Sequence, residues 1–336
     1  MKKIFFRADA STKVGWGHLT RCVSLASMLR EKFKCTFLLK DSADFAYKML
    51  EEKSFSFTKL GASELADEAL EVSSILNSGD IVVVDGYQFN EAYFAQIKSS
   101  AARLVLIDDF LKVFPQADAI INHAVDLSED DFPPRGEIRL CLGEKYAMLR
   151  PPFLEMAGRP RTISKVENVF VCFGGADNNN VTLKVLQALD NTPLKVHVVL
   201  ASTFPYTSEV KAFIDSASVT AEVYHDLSAE QMAALMSRCE VAVAPTSGLS
   251  YEICAVGMAF LGGYYIDNQI SIHNGFLKRN CLISLNDFTK VSVAGIREKF
   301  DFLLSDINRL NDLIASQKKT IDGKSAEKFI DLFSSL

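Results

Sequence analysis

Short, almost wholly apolar runs that alternate with amphipathic stretches constrain this chain more than any other feature of its sequence. In the first half these runs cover residues 3–6, 35–39, 81–84, 104–107 and 119–121. A strand that is apolar throughout must be covered on both faces, as strands of a parallel sheet are. Between the runs, apolar residues such as Leu19, Cys22, Val23 and Ala26 recur three or four apart, which predicts helices. The sequence therefore predicts a doubly wound parallel sheet.

The same rhythm restarts after a proline-rich break. Pro133-Pro134, Pro151-Pro152 and Pro160 surround the polar residues 157–167, and apolar runs return at 169–173, 196–200, 221–224, 241–244, 260–265 and 281–285. A chain of 336 residues can hold two such domains. We expect an α/β protein with two Rossmann-like, doubly wound domains facing a cleft. The N-terminal domain covers 1–156 and the C-terminal domain covers 157–336, with a closing helix over 325–333.

Charge and composition exclude several classes of function. Lys and Arg number 36 against 42 Asp and Glu, a net charge of −6, whereas nucleic-acid-binding proteins carry a basic surplus. No apolar run reaches the roughly 18 residues of a membrane span, and the N-terminus lacks the pattern of a secretory signal. The seven cysteines form no CxxC pair and have apolar neighbours, so we expect buried thiols rather than disulfides or a metal site. These features predict a cytoplasmic protein without nucleic-acid partners or membrane insertion.

The loop after the first predicted strand carries the pattern Gly15-Trp16-Gly17-His18. Two glycines let backbone N–H groups approach a ligand closely, and the N-terminus of the following helix favours a phosphate. A dinucleotide fingerprint would need a third glycine where Thr20 stands, so we expect no nicotinamide cofactor. The N-terminus of a helix disfavours a charged imidazole, which makes His18 a candidate general base. A capping or packing histidine is the alternative interpretation.

Polar residues follow three further strands of the first predicted sheet. Asp85 ends VVVD, Asp108 and Asp109 end VLIDD, and Asn122 ends AIIN. Because the carboxyl ends of parallel strands meet at one edge, these side chains are candidates for the same site. Successive residues of a strand point in opposite directions, so we expect only one of Asp108 and Asp109 to face a ligand. Helix capping and turn formation are the alternative roles.

Three loops of the second half have the composition of a nucleotide site. Two glycines that follow a strand suit a phosphate-binding nest, and a carboxylate early in a helix can accept hydrogen bonds from a ribose diol. The alternative for the glycine loop is a plain turn with a helix cap. The alternative for the carboxylate is that it only complements the helix dipole. The candidate residues are Gly174, Gly175 and Asp177 in the first loop, Ser247, Gly248 and Glu252 in the second, and Asn268 with Gln269 in the third.

The pattern GxGHxxRC, preceded by FRADAS, resembles the nucleotide-sugar hydrolases of pseudaminic acid biosynthesis. Further motifs follow the order of that family along essentially the whole chain. They are VVDGY, the Asp108-Asp109 pair, Asn122, GEKYAMLR ending at Arg150, FGGAD, the segment 247–252, Asn268-Gln269 and Asp322-Gly323-Lys324. The resemblance implies a glycosyltransferase-B-like fold similar to that of the MurG transferase.

The resemblance also implies an activity, the hydrolysis of a UDP-linked 2,4-diacetamido-2,4,6-trideoxy sugar to UDP and free sugar. Cleavage of the sugar–phosphate C–O bond would proceed with anomeric inversion, with His18 as the catalytic base and without a cofactor or metal. Arg7, Asp9 and Tyr87 would line the sugar side, whereas Asp177, Ser247 and Glu252 would line the UDP side. The remaining substrate-binding candidates are Gly15, Gly17, Arg21, Asp85, Asp109, Asn122, Arg150, Gly174, Gly175, Gly248, Asn268 and Gln269.

Three positions depart from the pattern of that family. Ala259 stands where a proline is expected, Trp16 replaces a small residue, and Asn280 ends a segment where a glycine is common. The last departure bears on sugar specificity, and Trp16 either narrows the sugar pocket or shields the loop. A glycosyltransferase that uses a UDP-sugar on the same fold is the alternative function, and a sugar-nucleotide-binding protein without turnover is a third.

Overall fold

Two parallel sheets organise the chain, as the alternation of apolar runs predicts. The structure is a computed structural model that describes residues 1–11, 15–134, 136–174 and 177–336. Unit 1 comprises Met1–Pro151 with Lys324–Leu336, and unit 2 comprises Pro152–Gly323.

Unit 1 contains a seven-stranded sheet in the order β3-β2-β1-β4-β5-β6-β7. The interior strands are buried along most of their length, which explains their nearly continuous apolar sequence. Its strands are β1 (Lys3–Arg7), β2 (Lys34–Leu39), β3 (Ser56–Lys59), β4 (Ile81–Asp85), β5 (Arg103–Ile107), β6 (Ala119–Asn122) and β7 (Arg139–Leu142). Its helices are α1 (Gly17–Leu29), α2 (Asp44–Glu52), α3 (Leu65–Ile75) and α4 (Glu91–Lys98), and α5 (Pro151–Ala157) begins at its boundary.

Unit 2 contains a six-stranded sheet in the order β10-β9-β8-β11-β12-β13. Each of the six strands corresponds to an apolar run predicted from the sequence. They are β8 (Asn168–Cys172), β9 (Lys195–Leu200), β10 (Thr220–His225), β11 (Val241–Pro245), β12 (Ala259–Tyr264) and β13 (Ile283–Asp287). The helices are α6 (Val181–Leu189), α7 (Thr207–Ser216), α8 (Ala229–Ser237), α9 (Gly248–Val256), α10 (Ile270–Lys278), α11 (Val293–Leu304) and α12 (Ile307–Thr320).

The last helix, α13 (Ser325–Ser335), belongs to unit 1. The ring of Phe329 packs against Tyr146 at 5.4 Å between centroids, and Phe333 packs against Phe33 at 6.3 Å. The sequence-based division at 156/157 instead assigned this helix to the C-terminal domain. The apolar periodicity of a helix predicts that it covers a sheet, but it does not say which of two sheets.

Candidate functional site

The sheet of unit 1 reverses its strand order between β1 and β4, and the main cluster of predicted site residues lies there. From β1 the chain proceeds through β2 to β3 on one side, whereas β4 to β7 lie on the other. Loops diverge at such a point and leave a crevice at the carboxyl ends of the strands. His18, in the first turn of α1, and Asp85, the last residue of β4, meet at this position.

His18 and Asp85 form a buried hydrogen bond. Nδ1 of His18 lies 2.7 Å from Oδ1 of Asp85, and their side chains are 8% and 0% exposed. A carboxylate only accepts hydrogen bonds, so Nδ1 carries the proton of the neutral ring and Nε2 keeps the lone pair. Among the residues that the structure describes, none hydrogen-bonds to Nε2 of His18. The ring is therefore held in the tautomer that a general base requires.

Arg21 joins His18 and Asp85 to a second carboxylate. It lies one turn after His18 and donates to Asp85 from Nε at 2.5 Å and from Nη2 at 2.6 Å. Its Nη1 donates to Asp109 at 2.7 Å. Nη2 also lies 3.3 Å from Nδ1 of His18, but its contact with Asp85 is the shorter one. Arg21 thus fixes two carboxylates that follow adjacent strands.

The charge of Arg21 keeps both carboxylates ionised. Burial raises the pKa of Asp85, but Arg21 and then His18 lower it more, so the net pKa lies below its usual value. Burial likewise raises the pKa of Asp109, and Arg21 reverses that effect and brings it well below the usual range. The site consequently holds two carboxylates against one guanidinium and one imidazole at neutral pH.

Tyr87 and Asp109 complete the cluster, and Asp108 does not belong to it. The Tyr87 hydroxyl donates to Oδ2 of Asp109 at 2.7 Å, and its ring lies edge-on to that of His18 with 4.6 Å between centroids. Asp108 instead accepts the backbone N–H groups of Phe110 and Lys112 at 3.1 and 3.0 Å. Of the two neighbouring carboxylates, Asp109 therefore faces the cluster and Asp108 shapes the turn.

His123 is a member of the cluster that the sequence analysis did not select. It follows Asn122 at the end of β6, is buried, and interacts electrostatically with Arg21, Asp109 and Asp85. Burial and then the charge of Arg21 lower the pKa of His123 to about 4. The imidazole is accordingly neutral near pH 7. The sequence feature that could have identified His123 is its position directly after Asn122, a polar residue at a strand end.

Arg7 and Asp9, predicted to line the sugar side, take part in a buried ion-pair network. Nη1 of Arg7 lies 2.6 Å from Oδ2 of Asp9, and its Nε donates to Glu68 at 2.7 Å. Glu68 also accepts from the Tyr93 hydroxyl and pairs with Lys40. Arg7 is 1% exposed and Asp9 is 4% exposed. Their charges are therefore compensated within the protein.

The other candidates of unit 1 shape the loops at the same edge. Gly15 has a φ of +84°, a conformation that favours glycine, and its N–H donates to the carbonyl of Ser11 at 2.7 Å. Gly17 begins α1, and a Cβ built there meets nothing within 4 Å.

Asn122 takes part in a turn, which is the alternative role considered for it in the sequence. Its Oδ1 accepts from the N–H of Ala124 at 3.0 Å. Arg150 directly precedes α5 and is half-buried.

In unit 2 the loop after β11 opens α9 with a reciprocal cap. Oγ of Ser247 accepts from the N–H of Leu249, while Oγ of Ser250 accepts from the N–H of Ser247. Gly248 leaves open space beside the first turn, since a Cβ there meets nothing within 4 Å. Glu252 lies in the second turn and is 7% exposed.

Asp177 uses both carboxylate oxygens to cap α6. Oδ1 accepts from the N–H of Val181, and Oδ2 accepts from the N–H and the hydroxyl of Thr182, each at 2.8 Å. The structure thus gives Asp177 a capping role, and its contact on the UDP side stays a prediction. Gly174, with a φ of +74°, precedes it, and Gly175 lies outside the described residues.

A loop after β12 packs beside the loop after β8. The Tyr265 hydroxyl donates to the carbonyl of Phe173 at 3.1 Å, and the Tyr265 N–H donates to Oε1 of Gln269 at 3.0 Å. Gln269 therefore holds the loop in shape, whereas Oδ1 of Asn268 is buried without a hydrogen-bond partner among the described residues. Gly174, Ser247 and Asn268 follow three adjacent strands, β8, β11 and β12.

Two classes of feature are absent from the described parts of the chain. Across residues 1–11, 15–134, 136–174 and 177–336, no group of three or more His, Cys, Asp or Glu side chains could hold a metal ion. No helix in these ranges has the length and apolar character to cross a membrane. All seven cysteines are buried free thiols, where the sequence predicted burial for most of them.

No family model matches the chain, but three sequences of other organisms are distantly related to it. An uncharacterized protein of Methanocaldococcus jannaschii is 26% identical over 84% of the chain, which spans 60% of the length of that relative. The UDP-2,4-diacetamido-2,4,6-trideoxy-beta-L-altropyranose hydrolase of Campylobacter jejuni is 25% identical over 82% of the chain and 97% of its own length. The spore coat polysaccharide biosynthesis protein SpsG of Bacillus subtilis is 23% identical over 83% of the chain and 82% of its own length.

Solved structures share the fold. The MurG structure from Acinetobacter baumannii has a TM-score of 0.71 at 12% identity, with both chains covered completely. The UDP-GlcNAc 2-epimerase of Neisseria meningitidis, bound to UDP-GlcNAc, has a TM-score of 0.68 at 10% identity, also over both whole chains. The predicted fold class, two Rossmann-like doubly wound domains of the glycosyltransferase-B-like kind, is confirmed.

Proposed function

We propose that the chain hydrolyses a UDP-linked sugar to UDP and the free sugar, with His18 as the base that activates water. The single observation that carries this proposal is the 2.7 Å bond between Nδ1 of His18 and Asp85, which leaves Nε2 to accept a proton. A base held in this way by a buried carboxylate is a recurrent catalytic arrangement.

In the proposed reaction, Nε2 of His18 takes a proton from a water molecule as the water oxygen attacks the anomeric carbon. The bond between that carbon and the phosphate oxygen breaks, its electron pair leaves with UDP, and the anomeric configuration inverts. The negative charge of Asp85 stabilises the imidazolium that forms. The departing phosphate is weakly basic, with a second pKa of about 6, and needs little help from an acid.

Arg21 and Asp109 serve this reaction as positioning residues. Arg21 holds Asp85 with two N–H bonds, so it fixes the carboxylate that orients His18. Asp109 holds Arg21 from the other side and accepts from Tyr87, whose ring packs against His18. The alignment of the base is thus determined by contacts on three neighbouring elements.

For the nucleotide, we assign the loops of unit 2 that follow β8, β11 and β12. Glu252 is the candidate for the ribose diol, since a carboxylate accepts two hydroxyl protons. Gly174 and the N-terminus of α9 at Ser247 and Gly248 offer the close backbone approach and the positive helix end that suit a diphosphate. In the adjacent loop, Oδ1 of Asn268 has no hydrogen-bond partner among the described residues.

The substrate class that we propose is a UDP-2,4-diacetamido-2,4,6-trideoxy sugar, in the biosynthesis of a nonulosonic acid such as pseudaminic acid. The distant likeness to the Campylobacter jejuni hydrolase, over 97% of that enzyme, supports this choice. Glycosyl transfer from a UDP-sugar is the second candidate, because the shared fold with MurG suits it as well. A transferase would pass the sugar to a hydroxyl acceptor in place of water.

The decisive assay supplies UDP-sugars without an acceptor and measures free UDP. The hydrolase proposal predicts stoichiometric UDP and free sugar, whereas a transferase releases little of either until an acceptor is added. Proton NMR of the first product should show the inverted anomer. In ¹⁸O-water the label should enter the sugar and not UDP; label in the β-phosphate of UDP would contradict attack at carbon.

A further inference from the structure

Four neighbouring strands of unit 1 are each followed by an aromatic residue, either in the next loop or in the first turn of the next helix. In sheet order these are Phe45 after β2, Trp16 after β1, Tyr87 after β4 and Phe110 after β5. We call this set the aromatic row. His18 lies within it, since it follows Trp16 by two residues and its ring contacts that of Tyr87.

The aromatic row is open to solvent although its members pack in two pairs. Phe45, Tyr87 and Phe110 are 57%, 51% and 47% exposed, and Trp16 is half-buried. Trp16 and Phe45 pack edge-to-face at 5.1 Å between centroids, and Tyr87 and Phe110 do so at 4.9 Å. Large apolar side chains that remain exposed as a group mark a surface that binds a ligand.

The position of the aromatic row identifies which part of the substrate meets it. A general base acts only when the attacking water lies within hydrogen-bond reach of it and of the reacting carbon. The sugar ring of the substrate must therefore lie within a few ångströms of the His18 imidazole, where Tyr87 already packs. The charges of Arg21, Asp85 and Asp109 next to His18 pair with each other. The exposed rings of Tyr87 and Phe110 lie beside them.

We propose that the aromatic row selects sugars with methyl groups where common UDP-sugars carry hydroxyls, an inference that rests on the proposed function. The methyl at C5 of a 6-deoxy sugar and the methyls of acetamido groups would pack on the rings of Trp16 and Phe110. A hydroxymethyl group in the same place would lose its water without gaining a hydrogen bond. Apolar pockets distinguish substrates that differ by one such group by about 10- to 200-fold.

A matched pair of substrates tests this selection. UDP-2-acetamido-2-deoxyglucose and its 6-deoxy counterpart differ only at C6, and a UDP-2,4-diacetamido-2,4,6-trideoxy sugar serves as reference. We expect kcat/KM to favour the 6-deoxy member at least tenfold, and Phe110→Ala to bring this ratio towards one. Phe110→Leu, which keeps an apolar side chain, should retain part of the preference. Phe302→Ala, which removes a 51% exposed phenylalanine of unit 2, is the control and should leave the ratio unchanged.

Trp16 gives a readout that does not depend on turnover, because it is the sole tryptophan of the chain. In the His18→Asn variant, saturation with the 6-deoxy UDP-sugar should shift or quench Trp16 emission more than saturation with UDP alone does. Calorimetry on the same samples establishes saturation independently of the fluorescence.

The outcomes separate this inference from the proposed function. If the two UDP-sugars are hydrolysed with equal kcat/KM, the aromatic row does not select between them. The same conclusion follows if Phe110→Ala leaves the ratio of the two kcat/KM values unchanged. Either result overturns this inference but not the proposed hydrolase activity. If no UDP-sugar is cleaved but the UDP-sugars change Trp16 emission more than UDP does, the result supports the aromatic row as a sugar-binding surface and contradicts the hydrolase activity. Absence of both binding and cleavage overturns both.

Discussion

Replacing Asp85 with Asn tests how the base is held, because the substitution keeps the shape of the side chain and removes its charge. Oδ2 of Asp85 accepts from Nε of Arg21, and Oδ1 accepts from Nη2 of Arg21 and from Nδ1 of His18. Arginine cannot give up its proton, so an amide NH₂ faces an Arg21 donor in either position. In the Oδ1 position the NH₂ also faces His18, which can change its tautomer and accept from it, so we expect the amide nitrogen to occupy that position.

The expected loss of activity follows from that tautomer. A ring that accepts at Nδ1 carries its proton on Nε2, where the attacking water must deliver one, so the base is blocked. Such an exchange next to a catalytic histidine lowers kcat by about 10⁴-fold. Initial rates of UDP release should show the decrease mainly in kcat, with KM little changed.

The same substitution should lower stability in a pH-dependent way. The Arg21 guanidinium is partly buried and keeps Asp109 as a partner. Loss of its charged hydrogen bonds to Asp85 should lower the free energy of unfolding by about 2–3 kcal/mol. The pKa of Asp85 in the folded protein lies below its ordinary value, so its contribution is present above about pH 4 and is lost as the pH falls through the folded pKa. Urea unfolding followed by circular dichroism should therefore show the two proteins converging below about pH 4.

Asp108→Asn is the matched control, because this carboxylate lies at the end of the adjacent strand and accepts only from backbone N–H groups among its described bonds. Asparagine forms the same turn, so we expect kcat within about twofold of the unmodified chain. Comparable losses in both variants, or a kcat for Asp85→Asn within tenfold of the unmodified value, would refute the proposed orientation of the base.

Three further results follow from the proposed site. Asp109→Asn should lower kcat about 10- to 100-fold, since Arg21 and Tyr87 lose a charged partner; a shift in KM alone would contradict a positioning role. Glu252→Ala should weaken UDP binding about tenfold by calorimetry while stability is retained, and an unchanged Kd would remove the ribose contact. Hydrolysis should persist after dialysis against EDTA, and a loss that added divalent metal restores would require a metal in the reaction.

Much of the candidate site is predictable from the sequence because its members lie at or just after the ends of strands. Asp85 and Asp109 end or follow apolar runs, and His18 follows a glycine-rich loop, so the topology of a parallel sheet alone brings them to one edge. The choice between Asp108 and Asp109 needed coordinates, since it depends on which way the chain turns after β5. His123 was not predicted because its only local signal is its position directly after Asn122, which an ordinary loop residue can share.

The roles of Arg7 and Asp177 show where sequence reasoning ends. Besides Asp9, Arg7 pairs with Glu68, 61 residues away in the chain, and a pairing over that separation leaves no local pattern. Asp177 caps α6 by bonds to residues four and five positions later, and the same spacing fits a ligand-binding turn equally well. Strands β3 and β7 lie at the edges of their sheet and expose residues to solvent, so they lack the continuous apolar runs that revealed the other strands.

The most direct test of the account compares His18→Asn with the unmodified chain on a UDP-diacetamido-trideoxy sugar, in the absence of an acceptor. Asparagine can still donate to Asp85 but offers no nitrogen that accepts a proton at the position of Nε2. We predict that kcat for UDP release falls by about 10²- to 10⁴-fold while the Kd for UDP stays within about twofold. Turnover near that of the unmodified chain would show that another group activates the water, and the account of this site would be wrong.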